Sequence, residues 1–230
     1  MRHTHEEQVP MSPSTAAKSA DQSAGKPSGR RTQERTELTR AKLLDAAALL
    51  FTEHGFEGVT IRDLEKAAGV QRGLLAYHFK DKKSLWQAMA DETFGMLREQ
   101  LNPRLELIGD LSAREQIAYI IRFYVRFSAN HPQFPRLLAQ EARHESWRLD
   151  YILDNHARPI AEELKPPVTE ALGLNERQFI HWYYLLAGGS SLIFSHAPEC
   201  KGLFGVDSHA DDVVDEHAEV MVRALLGPAS

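Results

Sequence analysis

Two short helical patterns separated by a tight turn constrain this chain more than any other feature. They lie in Thr60–Lys83, which reads TIRDLEKAAGVQRGLLAYHFKDKK. Thr60-Ile61-Arg62-Asp63 has the form of a capping box, where a side-chain oxygen and an acidic group three residues on satisfy each other's backbone N–H. Ile61, Leu64, Ala67 and Ala68 supply an apolar face, and Gly69 ends the helix. A second short helix is expected at about Gln71–Phe79, with Leu75 and Phe79 turned inward. Gln71, Arg72, Gly73, Leu74, Tyr77 and His78 are then left outward, with Lys80, Lys82 and Lys83 just beyond. Two short helices joined this way form a helix-turn-helix, whose second helix enters the DNA major groove. Lys and His reach phosphates, and Arg binds guanine through two hydrogen bonds.

The flanking sequence supports that reading. Leu43, Ala46, Ala47 and Leu50 follow helical spacing, as do Leu44, Ala47, Ala48 and Phe51, in a first helix that begins near Thr36 and stops at Gly55. Gly55 permits a tight exit, and Phe56 can pack back into a small three-helix core. Residues 26–90 carry twelve Lys/Arg against eight Asp/Glu, whereas residues 91–230 carry thirteen against twenty-one. A basic first segment on an acidic body suits contact with a polyanion through that segment alone. Residues 1–29 hold no aromatic residue and are rich in Ser, Ala, Pro and Gly, so they are expected to form a disordered tail. Arg30 and Arg31 come next, placed to act as a minor-groove arm or to be solvated.

The segment resembles the DNA-binding domain of the TetR/AcrR family of bacterial transcriptional regulators. The resemblance rests on Gly55-Phe56, Gly58, Thr60, Ala68-Gly69-Val70, Tyr77-His78-Phe79 and Lys82, and covers about fifty residues. It implies that Thr60, Arg62, Tyr77, His78 and Lys82 contact DNA, with Arg72, Gly73 and Leu74 nearest the base edges. Ala76 stands where the family usually carries an aromatic that touches phosphate, so that contact is lost or passes to Tyr77. The implied architecture is all-α: a helix-turn-helix domain over 30–82, then a helical effector-binding and dimerisation domain over 83–230.

Helical periodicity agrees with that architecture. Asp81 caps a long helix reaching about Ile108. Segments at Leu111–Asn130, Gln133–His144, Trp147–Leu172, Glu176–Ser195 and Asp211–Leu226 bring the total to about nine helices, without a convincing strand. Pro132, Pro135, Pro159, Pro166 and Pro167 are expected to start, kink or break helices. Phe179–Phe194 is apolar nearly all round and so reads as buried rather than membrane-spanning. Its small residues allow close helix crossing, which with Leu192 and Val220 suits a homodimer contact through Gly188, Gly189 and Ser190. An effector pocket is expected among Phe123, Phe127, Trp147 and Tyr184, with Glu141 and His144 orienting the ligand.

Catalytic constellations are missing from the sequence. Histidines 131, 144, 156, 181, 196, 209 and 217 include no pair four apart, and neither a Gly-x-Ser-x-Gly elbow nor a phosphate-binding glycine loop occurs. No metal or cofactor is expected. The single cysteine, Cys200, is placed in a loop, excludes an internal disulfide, and fits a reducing compartment. The N-terminus lacks the apolar run of a signal peptide, so a cytoplasmic location is expected. These features imply a homodimeric repressor that binds a palindromic operator and is released by a small molecule. Two rivals stay open: a DNA-binding regulator without an effector, and an enzyme with an appended helix-turn-helix.

Overall fold

The computed structural model describes residues 28–227, and their side chains from Gln33 onward. The tail expected over 1–29 lies outside the described residues through residue 27, as do the side chains of Arg30 and Arg31. Among the described residues the elements are helical throughout. α1 (Ser28–Gly58) begins before the periodic stretch and bends at Gly55, whose φ of 72° is costly for any residue with a Cβ. α2 (Ile61–Ala67), α3 (Leu74–His78) and α4 (Lys82–Leu107) come after it. Then come α5 (Ala113–Asn130), α6 (Gln133–Glu141), α7 (Trp147–Ile152), α8 (Arg158–Leu172) and α9 (Glu176–Gly189). The chain ends in α10 (Leu192–Ser195), α11 (Ala197–Phe204) and α12 (Asp211–Leu226).

Three differences raise the number of helices above about nine. The run expected over Trp147–Leu172 is interrupted by a π-helical turn, Leu153–Ala157. The added residue in such a turn rotates the succeeding helix about its axis, and here His156 is buried against Asp91 of α4, its Nε2 3.0 Å from Oδ1. The run expected over Glu176–Ser195 stops at Gly189, where the Ser191 hydroxyl donates to Ala187 O at 2.6 Å and a new short helix starts. The stretch read as a loop around Cys200 is helix α11, with Pro198 in its first turn, a position where the missing N–H costs nothing. Pro166 and Pro167 sit inside α8 without ending it.

Two buried clusters organise the helices between Glu37 and Gly227. The first joins Leu43, Leu44, Ala47 and Phe51 of α1 to Leu64, Leu75, Leu85, Trp86, Phe94 and Leu137. It runs without a break from the helix-turn-helix into α4, α6 and α7. The boundary expected at 82/83 therefore falls at the first residues of a helix whose inner face serves both sides. The second cluster holds Ile117, Ile121 and Val125 of α5 against Phe179, Trp182 and Leu186 of α9 and Val214, Ala218 and Met221 of α12. Arg122 grips Glu219 through two hydrogen bonds of 2.6 and 2.9 Å, and Trp182 Nε1 donates to Leu225 O at 3.1 Å.

A buried ion pair ties the first cluster together. Arg148 Nε donates to Glu141 Oε2 at 2.8 Å, and the guanidinium lies over the Phe56 ring at 5.1 Å. Their side chains are only 17% and 3% exposed. Removing one member of such a pair strands the other charge in low dielectric. Arg148→Ala should therefore cost about 3–5 kcal/mol, read as a lower urea midpoint. Replacing both Arg148 and Glu141 by apolar residues of similar volume should recover most of that loss.

Candidate nucleic-acid interface and effector cavity

The helix-turn-helix is fixed by caps. The Thr60 hydroxyl accepts from Asp63 N at 3.2 Å, while Asp63 Oδ2 accepts from Thr60 N at 3.0 Å and from the Thr60 hydroxyl. Those hydrogen bonds hold the exposed Asp63 carboxyl below the usual carboxylate range. α3 is shorter than the sequence implied, and Gln71 and Arg72 belong to the turn before it. Gly73 starts α3 at φ 90°, a conformation that leaves no capping side chain of its own.

The missing cap comes from α2. Glu65 Oε1 accepts from Gly73 N at 2.7 Å and Leu75 N at 3.1 Å, satisfying two of the orphan donors that every helix start presents. Glu65 is buried together with Leu64 and Ala68, whereas Ile61 and Ala67, expected on the inner face, are exposed. The sequence reading missed this residue. The available signal was a carboxylate on the inward stripe of a short helix, which needs donors nearby to be tolerated.

Leu75 and Phe79 are buried, as expected of the inner face of α3. Gln71, Arg72, Gly73 and Ala76 are exposed, Leu74 and His78 half-buried, and Tyr77 is 75% exposed with its ring edge-on to His78. Thr60 and Arg62 are exposed on α2. The lysines divide. Lys80 is exposed, but Lys82 Nζ donates to Phe56 O at 2.9 Å and Val59 O at 3.0 Å and lies 4.1 Å from the Phe56 ring centroid. Lys83 Nζ rests over Trp147 at 4.7 Å. Lys82 thus holds the α1–α2 turn, a role that the sequence reading did not include.

A cavity of about 240 Å³ lies where α4, α5, α8 and α9 meet, between the two buried clusters. Phe94, Leu97, Ile117, Ile120, Leu164 and Leu186 are among its apolar walls. Burial pushes the Tyr124 and Tyr183 phenols that line it above their ordinary range, which already leaves them neutral at pH 7. Of the residues expected to form a pocket, Phe123 lines it and the others do not. Phe127 packs edge-on to Phe134 in the first cluster, Glu141 is paired with Arg148, and Trp147 packs edge-on to Trp86. His144 is exposed, and Tyr184 is 71% exposed on the outer face of α9. Helical spacing placed those side chains on helices but not on the face that meets the cavity.

The residues read as a dimer contact also divide. Ile180, Tyr184 and Gly188 recur every fourth residue on α9 and are exposed, as are Leu185, Leu192 and Val220. A Cβ on Gly188 would meet nothing within 4 Å. On Gly189 it would come within 2.7 Å of Met221 Cε, so that glycine accommodates α12 of its own chain. Ser190 is fully buried and its hydroxyl has no protein partner. Ser190 therefore packs within the subunit, while Gly189 is exposed beside Met221 of its own chain.

The Glu65 cap generates a test. Glu65→Ala should leave the buried Leu75 N–H and the part-buried Gly73 N–H without their acceptor and cost about 1–3 kcal/mol. Amide exchange at Leu75 should accelerate by more than exchange in α5, whereas Glu65→Gln, which keeps an acceptor oxygen, should accelerate it less.

Residues 43–89 match the family model described as bacterial regulatory proteins, tetR family. The chain is 25% identical over 118 residues to the probable HTH-type transcriptional regulator YttP of Bacillus subtilis, 51% of this chain and 57% of that protein. It is 38% identical over 85 residues to the HTH-type transcriptional repressor AcnR of Corynebacterium diphtheriae, 35% of this chain and 45% of that protein. The chain thus spans about half the length of these two relatives. With the HTH-type transcriptional repressor NicS of Pseudomonas putida it shares 28% identity over 194 residues, 84% of this chain and 76% of that protein. In fold it is similar to AibR, solved in complex with isovaleryl coenzyme A and operator DNA, with a TM-score of 0.65 and 16% identity. That likeness covers 83% of this chain and all of the other. Residues 43–89 are thus similar to the helix-turn-helix segment of the tetR family of bacterial regulatory proteins.

Proposed function

We propose that the protein is a homodimeric transcriptional repressor that binds a palindromic operator through α3 and its preceding turn and is released by a small molecule held in the α4–α5–α8–α9 cavity. The observation that carries the reading is the outward face at Gln71, Arg72, Gly73 and Tyr77, presented on a short helix and the turn before it, both fixed from behind by Glu65. Recognition in a major groove needs a rigid helix with unpaired polar side chains along one face. The relatives named as repressors, and a structural neighbour solved with operator DNA and an acyl coenzyme A, support the same reading.

Dimerisation is required by operator geometry and suits the exposed apolar stripe of α9. Two half-sites one or more turns apart require two recognition helices at fixed separation. Ile180, Tyr184, Leu185 and Leu192 are large apolar side chains exposed on one subunit, and burying them against a symmetry mate removes that surface from water. A cytoplasmic location and the absence of catalysis belong to the same reading. Among the described residues no helix is long and apolar enough to cross a membrane, and no cluster of metal-ligating side chains occurs.

Operator binding should weaken steeply with salt, because phosphate contacts release counterions. Arg72→Ala should change which operator variants are preferred, by about 1–3 kcal/mol at the contacted base pair. Lys80→Ala should weaken specific and random duplexes alike. Lys82→Ala should differ from both, lowering the thermal midpoint of the free protein because the α1–α2 turn loses its cation. A panel of operator variants read by fluorescence anisotropy separates these outcomes. An Arg72→Ala protein that discriminates operators as the wild type does would refute the placement of α3.

Gly188→Leu should dissociate the dimer without disturbing the subunit, since its Cβ direction is open. Gly189→Leu should instead push the flexible Met221 thioether aside and cost the subunit less than the ~1–3 kcal/mol of overpacking against fixed atoms. Sedimentation measures the first effect, and urea melts across protein concentrations isolate the second.

A further inference from the structure

The charge pattern of the α4–α5–α8–α9 cavity narrows the class of its occupant. Its walls run along α4 from Phe94 to Leu105 and along α5 from Ala113 to Tyr124. At 1.5 Å per residue each wall is about 16 Å long. The cavity volume is about 240 Å³, small for that length. Such a shape accommodates one extended chain better than a fused-ring body.

Among the lining residues the charged ones are Arg98 of α4 and Glu163 of α8, and they are ion-paired with each other. The partners are not equivalent. The Glu163 side chain is 65% exposed, whereas that of Arg98 is 34% exposed. A largely solvated carboxylate loses little when it leaves an ion pair. A half-buried guanidinium left alone does not recover full hydration, so it retains a demand for an anion. Glu163 engages Arg98 through Nη2, and the fork geometry of guanidinium favours a carboxylate that can take two donors at once. Arg104, further along α4, lies 5.6 Å over the Phe123 ring and adds positive charge beside the same wall. The neutral Tyr124 and Tyr183 phenols bring no competing anion.

We propose that this cavity binds an unbranched aliphatic carboxylate, with its chain between α4 and α5 and its carboxylate on Arg98 in place of Glu163. The assignment rests on the effector reading of the cavity and gives that reading a ligand class. In the free protein Glu163 stands in for the ligand's head group, so ligand entry exchanges one carboxylate for another while burying an alkyl chain against apolar walls. Each buried methylene then contributes to affinity, and the head group sets selectivity.

The test is calorimetric titration of the full chain with decanoate, decan-1-ol and decylammonium, each below its micellar concentration. Decanoate should bind several-fold tighter than decan-1-ol, because half-buried Arg98 gains more from the ligand carboxylate than solvated Glu163 loses, and decylammonium should bind weakest. Arg98→Met keeps the length of the side chain and removes its charge. It should bring decanoate to the level of decan-1-ol while leaving decan-1-ol unchanged, which also shows that the variant is folded. Glu163→Gln should tighten decanoate. Ile120→Trp, which fills the channel, should abolish binding of all three. Equal affinity for the acid and the alcohol, a preference that survives Arg98→Met, strongest binding of the ammonium, or no binding of any probe would each overturn the proposal. Operator release is read separately. Decanoate that binds with this preference yet leaves the operator occupied refutes the effector reading and leaves the carboxylate site standing. A molecule of another class that binds here and releases DNA does the reverse.

Discussion

The Phe56 ring is the point on which the recognition helix depends. Gly55 turns the chain out of α1 in a left-handed conformation, and Phe56 packs back against Phe51 and Trp147, with ring centroids 5.5 and 5.4 Å away. Two cations lie over it. Lys82 arrives from the first turn of α4 and also takes the carbonyls of Phe56 and Val59, while Arg148 arrives from α7 and is held by Glu141. The turn that aims α2 and α3 is therefore bonded directly to helices of the larger part of the chain. A cation over an aromatic face gains more when water is excluded, and here the ring is buried.

Under the proposed function, that arrangement would give an effector a physical route to DNA. α4 begins at Lys82, under the helix-turn-helix, and its middle lines the cavity from Phe94 to Leu105. Asp91, one turn before Phe94, accepts from the Tyr151 hydroxyl at 2.9 Å and faces His156 of the π-helical turn. Phe94 stacks on the His156 ring at 5.1 Å. Burial holds the imidazole below its usual range despite Asp91, so at neutral pH it is uncharged and the cluster acts as a hydrogen-bonded joint rather than an ion pair. A ligand that repositions Phe94 therefore acts on the same helix that carries Lys82. Its effect is limited by its differential affinity for the two positions of α4, and operator DNA must oppose ligand binding by the same factor.

The helical class, the helix-turn-helix and the outward face of α3 were readable from spacing, because short helices bounded by glycine and a capping box leave few alternative folds. Leu75 and Phe79 pointed inward as their four-residue interval requires. The pocket was not readable. Phe123, Phe127, Trp147 and Tyr184 are all aromatic residues on helices, but periodicity assigns a face only relative to its own helix axis. Which faces enclose a void depends on how α4, α5, α8 and α9 cross, and that is decided by contacts far apart in sequence. Glu65 and Lys82 illustrate a second limit. Charged residues next to a DNA-binding helix look like surface groups, yet both are directed inward because backbone donors and acceptors at helix ends need partners. Gly188 and Gly189 illustrate a third, since neighbouring small residues on a helix point about 100° apart and serve different contacts.

Three buried titratable side chains share one placement. Glu65 joins α2 to α3, Glu141 joins α6 to α7, and His156 joins the π-helical turn to α4. Each is a charged or titratable residue where an all-apolar contact would allow helices to slide. Apolar packing is non-directional, so it fixes distance better than angle, whereas a hydrogen bond to a particular atom fixes both. In the proposed dimer, two recognition helices would be held in register by such joints at the helix-turn-helix, while joints beside the cavity could exchange partners. Arg98 and Glu163 are of the second kind, exposed enough to part at small cost. The joints therefore grade from buried at α3 to half-solvated at the cavity, so the end of α4 beside the helix-turn-helix is held more firmly than the stretch that carries Arg98.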